Sequence, residues 1–135
     1  MADINCPKPV KLFVGILSSD NSLLEEVENL LINRLGKVDI RSEIFPFDFT
    51  EYYKKEMGTN ISRQFLCFKE LINPEELSVI KIWTNELEDE IKRNRKSDVA
   101  RPINLDPGYL THCNLILAST KDYYHRIHLQ NGIYA

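Results

Sequence analysis

The sequence lacks the features that mark fibrous, disordered and membrane-spanning proteins, and it is typical of an ordinary folded domain. With only 5 Gly and 6 Pro among 135 residues, it is neither collagen-like nor a low-complexity disordered chain. Its longest apolar run, residues 12–17, is far shorter than the roughly 20 residues that cross a membrane. Asp3, Pro7 and Pro9 precede any apolar stretch, so no signal peptide is visible. We therefore expect one domain over residues 1–135 and no membrane partner.

Cysteine and histidine are also scarce, and their spacing excludes common metal sites. Cys6, Cys67 and Cys113 lie far apart and form no Cys-x-x-Cys pair, which favours reduced thiols in a cytoplasmic protein. His125 and His128 are three residues apart, so on a strand they would point to opposite faces and could not share an ion. The sequence thus predicts neither a metal nor a cofactor.

No charge of one sign dominates the chain. Seventeen basic and twenty acidic side chains leave a net charge of −3, which provides no general field for nucleic acid. The one basic cluster, over residues 92–96, falls at the predicted end of a helix, where cations complement the helix dipole. We therefore expect no nucleic-acid partner.

The first half of the chain alternates between strand and helix patterns. It predicts a buried strand over 11–17, a helix over 22–35, a half-buried strand over 38–45 and a short helix closed by residue 58. Ser22 and Glu25 have the spacing of a capping box, and Asp48 and Glu51 repeat it before the short helix. Capping also explains these carboxylates more simply than catalysis does.

The second half predicts a strand over 63–71, a long helix, a loop over 101–109, and strands over 109–119 and 123–129. Asn73 is the expected cap of the long helix, with Pro74 at its first position. Trp83 lies on the apolar stripe of that helix and should be largely buried. Asn131-Gly132 is a strong hairpin signal.

This order predicts an α+β fold, in which helices cover one face of a mainly antiparallel sheet. A ferredoxin-like split βαβ arrangement with an added C-terminal hairpin fits it. Because the chain stops at Ala135, the strand returning from the hairpin would leave the segment 124–129 without a full partner. We expect a longer native chain and, for this one, homodimer formation through the exposed edge, aggregation, or poor order after Lys121.

The standard phosphate-binding loops are missing. No G-x-x-x-x-G-K-[ST] segment occurs, and no G-x-G-x-x-G follows a strand. Thr120-Lys121-Asp122 resembles a guanine-reading motif, but its aspartate comes one residue too early. These absences argue against GTPase chemistry on a P-loop fold.

Two polar segments are the best candidates for a site, because loops held by a rigid sheet often carry function. The first is 101–109, whose Asp106-Pro107-Gly108 also has the residue order of a simple turn, and the second is 119–126. Their candidate ligand-binding residues are Arg101, Asn104, Tyr109, Lys121 and Arg126, and their candidate catalytic groups are His125 and Asp106. Arginine and lysine suit phosphate or carboxylate, and imidazole is suited to proton transfer near neutral pH.

Five ordered motifs resemble one known family. They are Lys11-Leu-Phe-Val-Gly15, Phe45-Pro-Phe-Asp-Phe-Thr50, Tyr53-x-x-Glu56-Met-Gly58, Asn104-Leu-Asp-Pro-Gly-Tyr-Leu110 and Ser119-Thr-Lys-Asp-Tyr-x-His-Arg-Ile127. Together they resemble a bacterial family of unknown function, some of whose members are labelled "GTP-binding protein". The resemblance implies a further strand and an aromatic, proline-rich tail after the last residue here. It brings no established activity or catalytic residues.

Two functions remain open at this point. The first is a site for a small anionic or nucleotide-like ligand, formed by 101–109 and 119–126. The alternative is a non-enzymatic protein interaction module that uses the same residues as a partner surface. A ligand site requires the two segments to converge on one concave pocket, whereas an interaction module would spread them over a convex face.

Overall fold

The computed structural model describes residues 1–135, most of whose strands join one antiparallel sheet. In chain order the elements are β1 (Val10–Ser18), α1 (Asn21–Leu35), β2 (Val38–Arg41), β3 (Phe45–Pro46), α2 (Lys54–Met57), β4 (Ser62–Ile72), α3 (Glu76–Asn94), β5 (Ile103–Leu110), β6 (Leu115–Leu117), β7 (His128–Gln130) and β8 (Ile133–Tyr134). None of the helices is both long and apolar enough to cross a membrane.

The sheet has the predicted split βαβ topology. Its strand order is β2-β4-β1-β5-β6, with β3 also paired to β4, and every pairing is antiparallel. The unit β1-α1-β2 is split by β4, and the unit β4-α3-β5 is split by β1. Two interleaved units of this kind define the ferredoxin-like arrangement, so the α+β prediction is confirmed.

The main core lies between one face of the sheet and the two long helices. Alternate residues of β1 point to this face, as the strand period of two requires. They meet apolar residues of both helices in one buried cluster, whose members include Leu12, Val14, Ile16, Leu23, Val27, Leu31, Leu66, Phe68, Ile80, Leu87, Ile91, Ile103 and Leu105. The short helix α2 lies against the opposite face, where Met57 packs with Leu17 and Ile61.

The caps of α1 and α3 lie two residues from their predicted positions, and the capping box predicted before α2 is wrong, because α2 begins later and without a side-chain cap. Asp20, not Ser22, caps α1, because the Asp20 carboxylate accepts the Ser22 N–H at 3.0 Å. Before α3, Asn73 makes no side-chain cap. Instead its N–H donates to the Glu76 carboxylate at 2.6 Å. These differences leave the apolar stripes in place, although Trp83 packs at the margin of the core and is only half-buried.

The predicted strand 38–45 is wrong in length and in its buried face. It is divided into β2 and β3, and the register of β2 against β4 shifts between Val38 and Ile40. A bulge of this kind changes the side to which the next residues point. Val38 is therefore buried, whereas Ile40 and Ile44 are 58% and 48% exposed.

The predicted loop 101–109 is also wrong, because most of it forms β5 beside the central strand β1. Pro107 is tolerated because its nitrogen, which has no hydrogen to donate, faces away from β1. Its carbonyl lies on the same side and accepts the Ala118 N–H at 3.0 Å. Gly108 is required by close packing. A Cβ there would lie 2.5 Å from Cζ of Phe13 and 2.4 Å from the Ile116 carbonyl oxygen. The turn falls later, at 111–114.

The C-terminal hairpin is confirmed, but the long strand before it is not. Asn131 and Gly132 have φ values of 55° and 73°, as a two-residue type I′ turn requires. The predicted strand 123–129 shrinks to β7, and 119–127 is a loop. The returning strand is paired on both sides, since Tyr134 exchanges two backbone hydrogen bonds with Ser119 and Ala135 exchanges two with Ile127.

Candidate functional site

The two polar segments meet at the edge of β5, beyond the point where β6 has separated from it. There they line a cavity of about 600 Å³ together with residues before and within α2, one residue of β4 and one of α3. Six predicted site residues line this cavity, namely Arg101, Asn104, Asp106, Lys121, His125 and Arg126. The convergence that a ligand site requires is therefore present.

The cavity wall is strongly basic although the chain as a whole carries a net charge of −3. Five side chains with an amine or guanidinium group line it, against two carboxylates, those of Glu56 and Asp106. The five are Arg63, Lys81, Arg101, Lys121 and Arg126. This excess concentrates positive potential in a concave surface, which favours the entry of anions.

Asn104 and Asp106 form the floor of the cavity. They are two residues apart on β5, so both point away from the two long helices. The Asn104 amide donates to the Asp106 carboxylate at 2.6 Å, and Arg63 reaches the same oxygen at 3.4 Å. Asp106 is thus held as an ion-pair partner within the site.

Arg101 is committed to neighbouring groups. Its guanidinium donates to the Asn104 side-chain oxygen at 2.5 Å and to Glu88 at 3.2 Å, and it lies 3.7 Å from Glu56. These partners use much of its donor capacity and neutralise its charge. Arg101 therefore positions Asn104 and joins α3 to β5, and it has little charge left for a ligand.

Lys81 and Glu88 are functional candidates that the sequence prediction missed. Seven residues apart on α3, they share one face of the helix and reach the edge of β5 that β6 leaves open. The Glu88 carboxylate accepts the Leu105 N–H at 2.5 Å, and the Lys81 ammonium donates to the Leu105 carbonyl at 2.9 Å. Two side chains thus replace the missing neighbouring strand at Leu105.

Burial shifts the pKa of both groups. It lowers the pKa of Lys81 and raises the pKa of Glu88, because each charged form loses hydration. Asp106 opposes part of the effect on Lys81, since its carboxylate lies 3.8 Å from the Lys81 Nζ. Four residues before Lys92, Glu88 has the spacing of an ion pair on the solvent face of a helix. The structure turns it inward to Leu105, and only the spacing of 81 and 88 could have signalled this.

The loop 119–126 brings two cations to the cavity. The Ser119 hydroxyl oxygen accepts from the Lys121 N–H at 3.2 Å and from the Arg126 guanidinium, which also donates to the Lys121 carbonyl at 3.1 Å. The Lys121 ammonium donates to the Tyr52 hydroxyl at 3.0 Å, and this bond raises the pKa of Lys121. Neither cation has a salt bridge to a carboxylate.

Two tyrosines line the cavity beside the lysine of this loop. Tyr52 and Tyr53 contact each other edge to face, with ring centroids 5.0 Å apart. Burial, aided by the negative charge of Asp106, raises the pKa of Tyr53 and keeps its hydroxyl protonated as a donor. In the sequence, the neighbouring carboxylates Asp48 and Glu51 are more conspicuous than these two rings.

The remaining two predicted residues occupy different positions. His125 lies exposed at the cavity wall, where its ring contacts Tyr124 at a centroid distance of 5.2 Å. Tyr109 does not line the cavity. It is an odd-numbered residue of β5, so it points to the opposite face from Asp106 and packs with Leu77 and Ala118. The structure therefore does not bring Tyr109 together with the other predicted site residues.

The fold and this basic cavity define an α+β protein with a ferredoxin-like sheet and a candidate anion site at one sheet edge. Residues 8–135 match a family described as a domain of unknown function, DUF4416. Since the match covers nearly the whole chain, the protein belongs to this family. No curated protein and no solved structure matches the chain.

Proposed function

We propose that the protein binds a small anionic or nucleotide-like ligand in the cavity between β5 and the loop 119–126. The observation that carries the proposal is the position of Lys121 and Arg126 and their lack of carboxylate partners. Both line a concave wall, and neither is neutralised by a carboxylate. In a chain of net negative charge, two such cations at one cavity favour a phosphate or carboxylate as the missing partner.

The cavity offers different chemistry to different parts of a ligand. Lys121 and Arg126 supply the anion-binding end, since Arg63 and Lys81 already face Asp106. The rings of Tyr52 and Tyr53 line the same cavity and suit the planar part of a nucleotide-like molecule. The ligand class is therefore a small phosphate or carboxylate with room for an attached ring.

His125 and Asp106 are the proposed proton-transfer groups if the ligand is also a substrate. His125 is accessible at the wall and makes no hydrogen bond that would occupy its nitrogens. Asp106 lies deeper and is oriented by Asn104. A His125→Gln variant would then bind the ligand normally and lose turnover, which separates a catalytic role from a binding role.

Isothermal titration calorimetry with pyrophosphate and with adenosine monophosphate tests the proposal. Each hydrogen-bonded charge pair contributes about 1.5–3 kcal/mol, so Lys121→Ala and Arg126→Ala should each weaken binding roughly tenfold or more. Arg93→Ala and Lys96→Ala are the controls, because both cations are exposed near the end of α3 and do not line the cavity. Equal weakening by the control pair would indicate a nonspecific charge effect and contradict the proposal.

The alternative function is a protein interaction module, and one observation favours it. The segment 124–130 exposes Tyr124, Ile127 and Leu129, and the outer edge of β7 has no strand beside it. An open edge flanked by apolar side chains can pair with another chain, so the homodimer predicted from the sequence stays a prediction. Light scattering over a range of concentrations tests it, and Leu129→Lys should shift any dimer toward monomer.

A further inference from the structure

Lys81 has an unusual position for a lysine. Its side chain is only 7% exposed, yet it lines the cavity that also holds Lys121 and Arg126. The ammonium makes one hydrogen bond, to the Leu105 carbonyl at 2.9 Å, and faces the Asp106 carboxylate at 3.8 Å. An amine has more than one N–H, so this arrangement leaves further bonding capacity directed at the cavity.

We propose that Lys81 is a nucleophilic amine that forms an imine with a small anionic carbonyl compound bound in this cavity. The inference rests on the proposed function, because the cations of the loop 119–126 would hold the anionic end. It adds a substrate class, namely aldehydes or ketones that carry a phosphate or carboxylate.

Three observations favour a reactive amine at this position over a purely structural lysine. The side chain is removed from water, which lowers the pKa of Lys81 and increases its unprotonated fraction. Arg101 adds to this effect, as a nearby positive charge disfavours a second one, whereas the carboxylates of Asp106 and Glu88 oppose it more strongly without reversing the lowered pKa. The Leu105 carbonyl accepts only one N–H, so it orients the nitrogen without occupying its lone pair.

The reaction balances without any additional reagent. After the Lys81 ammonium has released one proton to solvent, the neutral nitrogen attacks the carbonyl carbon, a C–N bond forms, and the carbonyl π electrons move to oxygen. Asp106 accepts a proton from nitrogen and returns it to that oxygen. The nitrogen lone pair then forms the C=N bond as the C–O bond breaks. Asp106 carries the remaining nitrogen proton to the departing hydroxide, so both N–H hydrogens leave with the oxygen as water. The product is the imine, and Asp106 is regenerated as a carboxylate.

The side-chain contacts also explain why Asp106 suits the proton transfer from the Lys81 nitrogen to the carbonyl oxygen. It is the carboxylate within 4 Å of the Lys81 Nζ, and Asn104 fixes one of its oxygens at 2.6 Å. The second oxygen is the one that faces Lys81. Asp106→Asn should therefore slow imine formation at Lys81 while leaving the amine in place.

Reductive trapping on the wild-type protein tests the proposal. The chain is treated with pyridoxal 5′-phosphate and sodium cyanoborohydride at neutral pH, and modified lysines are located by peptide mass spectrometry. Lys92 is the internal reference, because it lies exposed on the same helix. We expect Lys81 to be modified at least tenfold faster than Lys92. Pyridoxal, which lacks the phosphate, should lose most of this preference, and excess pyrophosphate should suppress it.

The outcomes separate the inference from the proposed function. If Lys121 is modified and Lys81 is not, and pyrophosphate suppresses the modification, the assignment of Lys81 as the nucleophile is contradicted. The anion site is still supported by that result. Equal modification of Lys81 and Lys92, with no effect of pyrophosphate, would overturn the inference, while calorimetry would judge the anion site separately. Lys81→Arg keeps a donor for Leu105 but forms no imine, so preferential labelling should vanish in a variant that still folds.

Discussion

At the residue scale, the charged side chains of α3 distinguish this protein from a purely apolar helix-on-sheet packing. Lys81 and Glu88 lie on the inward side of the helix, where a burial cost of several kcal/mol is expected for an unpaired ion. Each instead holds one polar atom of Leu105 and one oppositely charged side chain. The same contacts that stabilise the edge of β5 therefore orient groups of the cavity.

The lowered pKa of Lys81 gives a pH dependence of stability with a definite sign. Between its lowered folded pKa and the unfolded value of 10.5, the unfolded chain binds more protons at Lys81 than the folded one. The free energy of unfolding should therefore rise with pH across that window. Urea denaturation at several pH values should show a steeper rise for wild type than for Lys81→Met. Parallel profiles would contradict the assignment of the shift to Lys81.

A second prediction at this scale concerns Gly108. Its backbone passes so close to the Phe13 ring and the Ile116 carbonyl that even one methyl group has no room. Gly108→Ala should cost about 1–3 kcal/mol of unfolding free energy, as overpacking usually does. Gly132→Asn is the matched control, since nothing lies within 4 Å of its position and asparagine tolerates the positive φ. A neutral Gly108→Ala in urea denaturation would contradict this packing.

At the scale of elements, β5 is the strand that sequence patterns predicted least well. Asp106-Pro107-Gly108 has the composition of a turn, but the Pro107 nitrogen faces away from the ladder with β1 and Gly108 is required by the Phe13 ring. Both reasons are tertiary, so no local pattern could reveal them. By contrast, the helix stripes, the central strand and the Asn131-Gly132 turn follow from local periodicity and φ preference, and these predictions are confirmed.

The candidate site likewise contains residues that the sequence could predict and residues that it could not. Polar composition identified Arg101, Asn104, Asp106, Lys121, His125 and Arg126, all of which reach one cavity. It could not show that Tyr109 points to the other face, because that depends on 101–109 being a strand. It also missed Lys81, since a lysine within a helical stripe is normally interpreted as solvent-exposed.

The edge of β5 yields a prediction for Glu88. Glu88→Ala leaves the Leu105 N–H without its acceptor and Arg101 without one carboxylate, which should cost about 1–3 kcal/mol. Glu90→Ala, an exposed position on the same helix, should change stability by less than about 0.5 kcal/mol. Amide exchange should be faster at Leu105 in Glu88→Ala only. Unchanged protection of that amide would show that the carboxylate is not its essential partner.

At the scale of the whole molecule, the split βαβ topology determines where a site can form. The two long helices cover one face of the sheet, and the strand order leaves the edge of β5 open before β6 begins. The C-terminal hairpin folds back against Ser119 and so fixes the loop 119–126 beside that open edge. The cavity therefore exists because three distant parts of the chain are held together by the fold.

The most direct test of the account is a titration of the wild-type protein with pyrophosphate, followed residue by residue in ¹⁵N–¹H correlation spectra. We predict saturable shifts concentrated in the amides of 101–106 and 119–126, with little change in α1. The shifts should disappear in the Lys121→Ala, Arg126→Ala double variant. Shifts spread over the basic end of α3, or none at millimolar pyrophosphate, would contradict an anion site in this cavity.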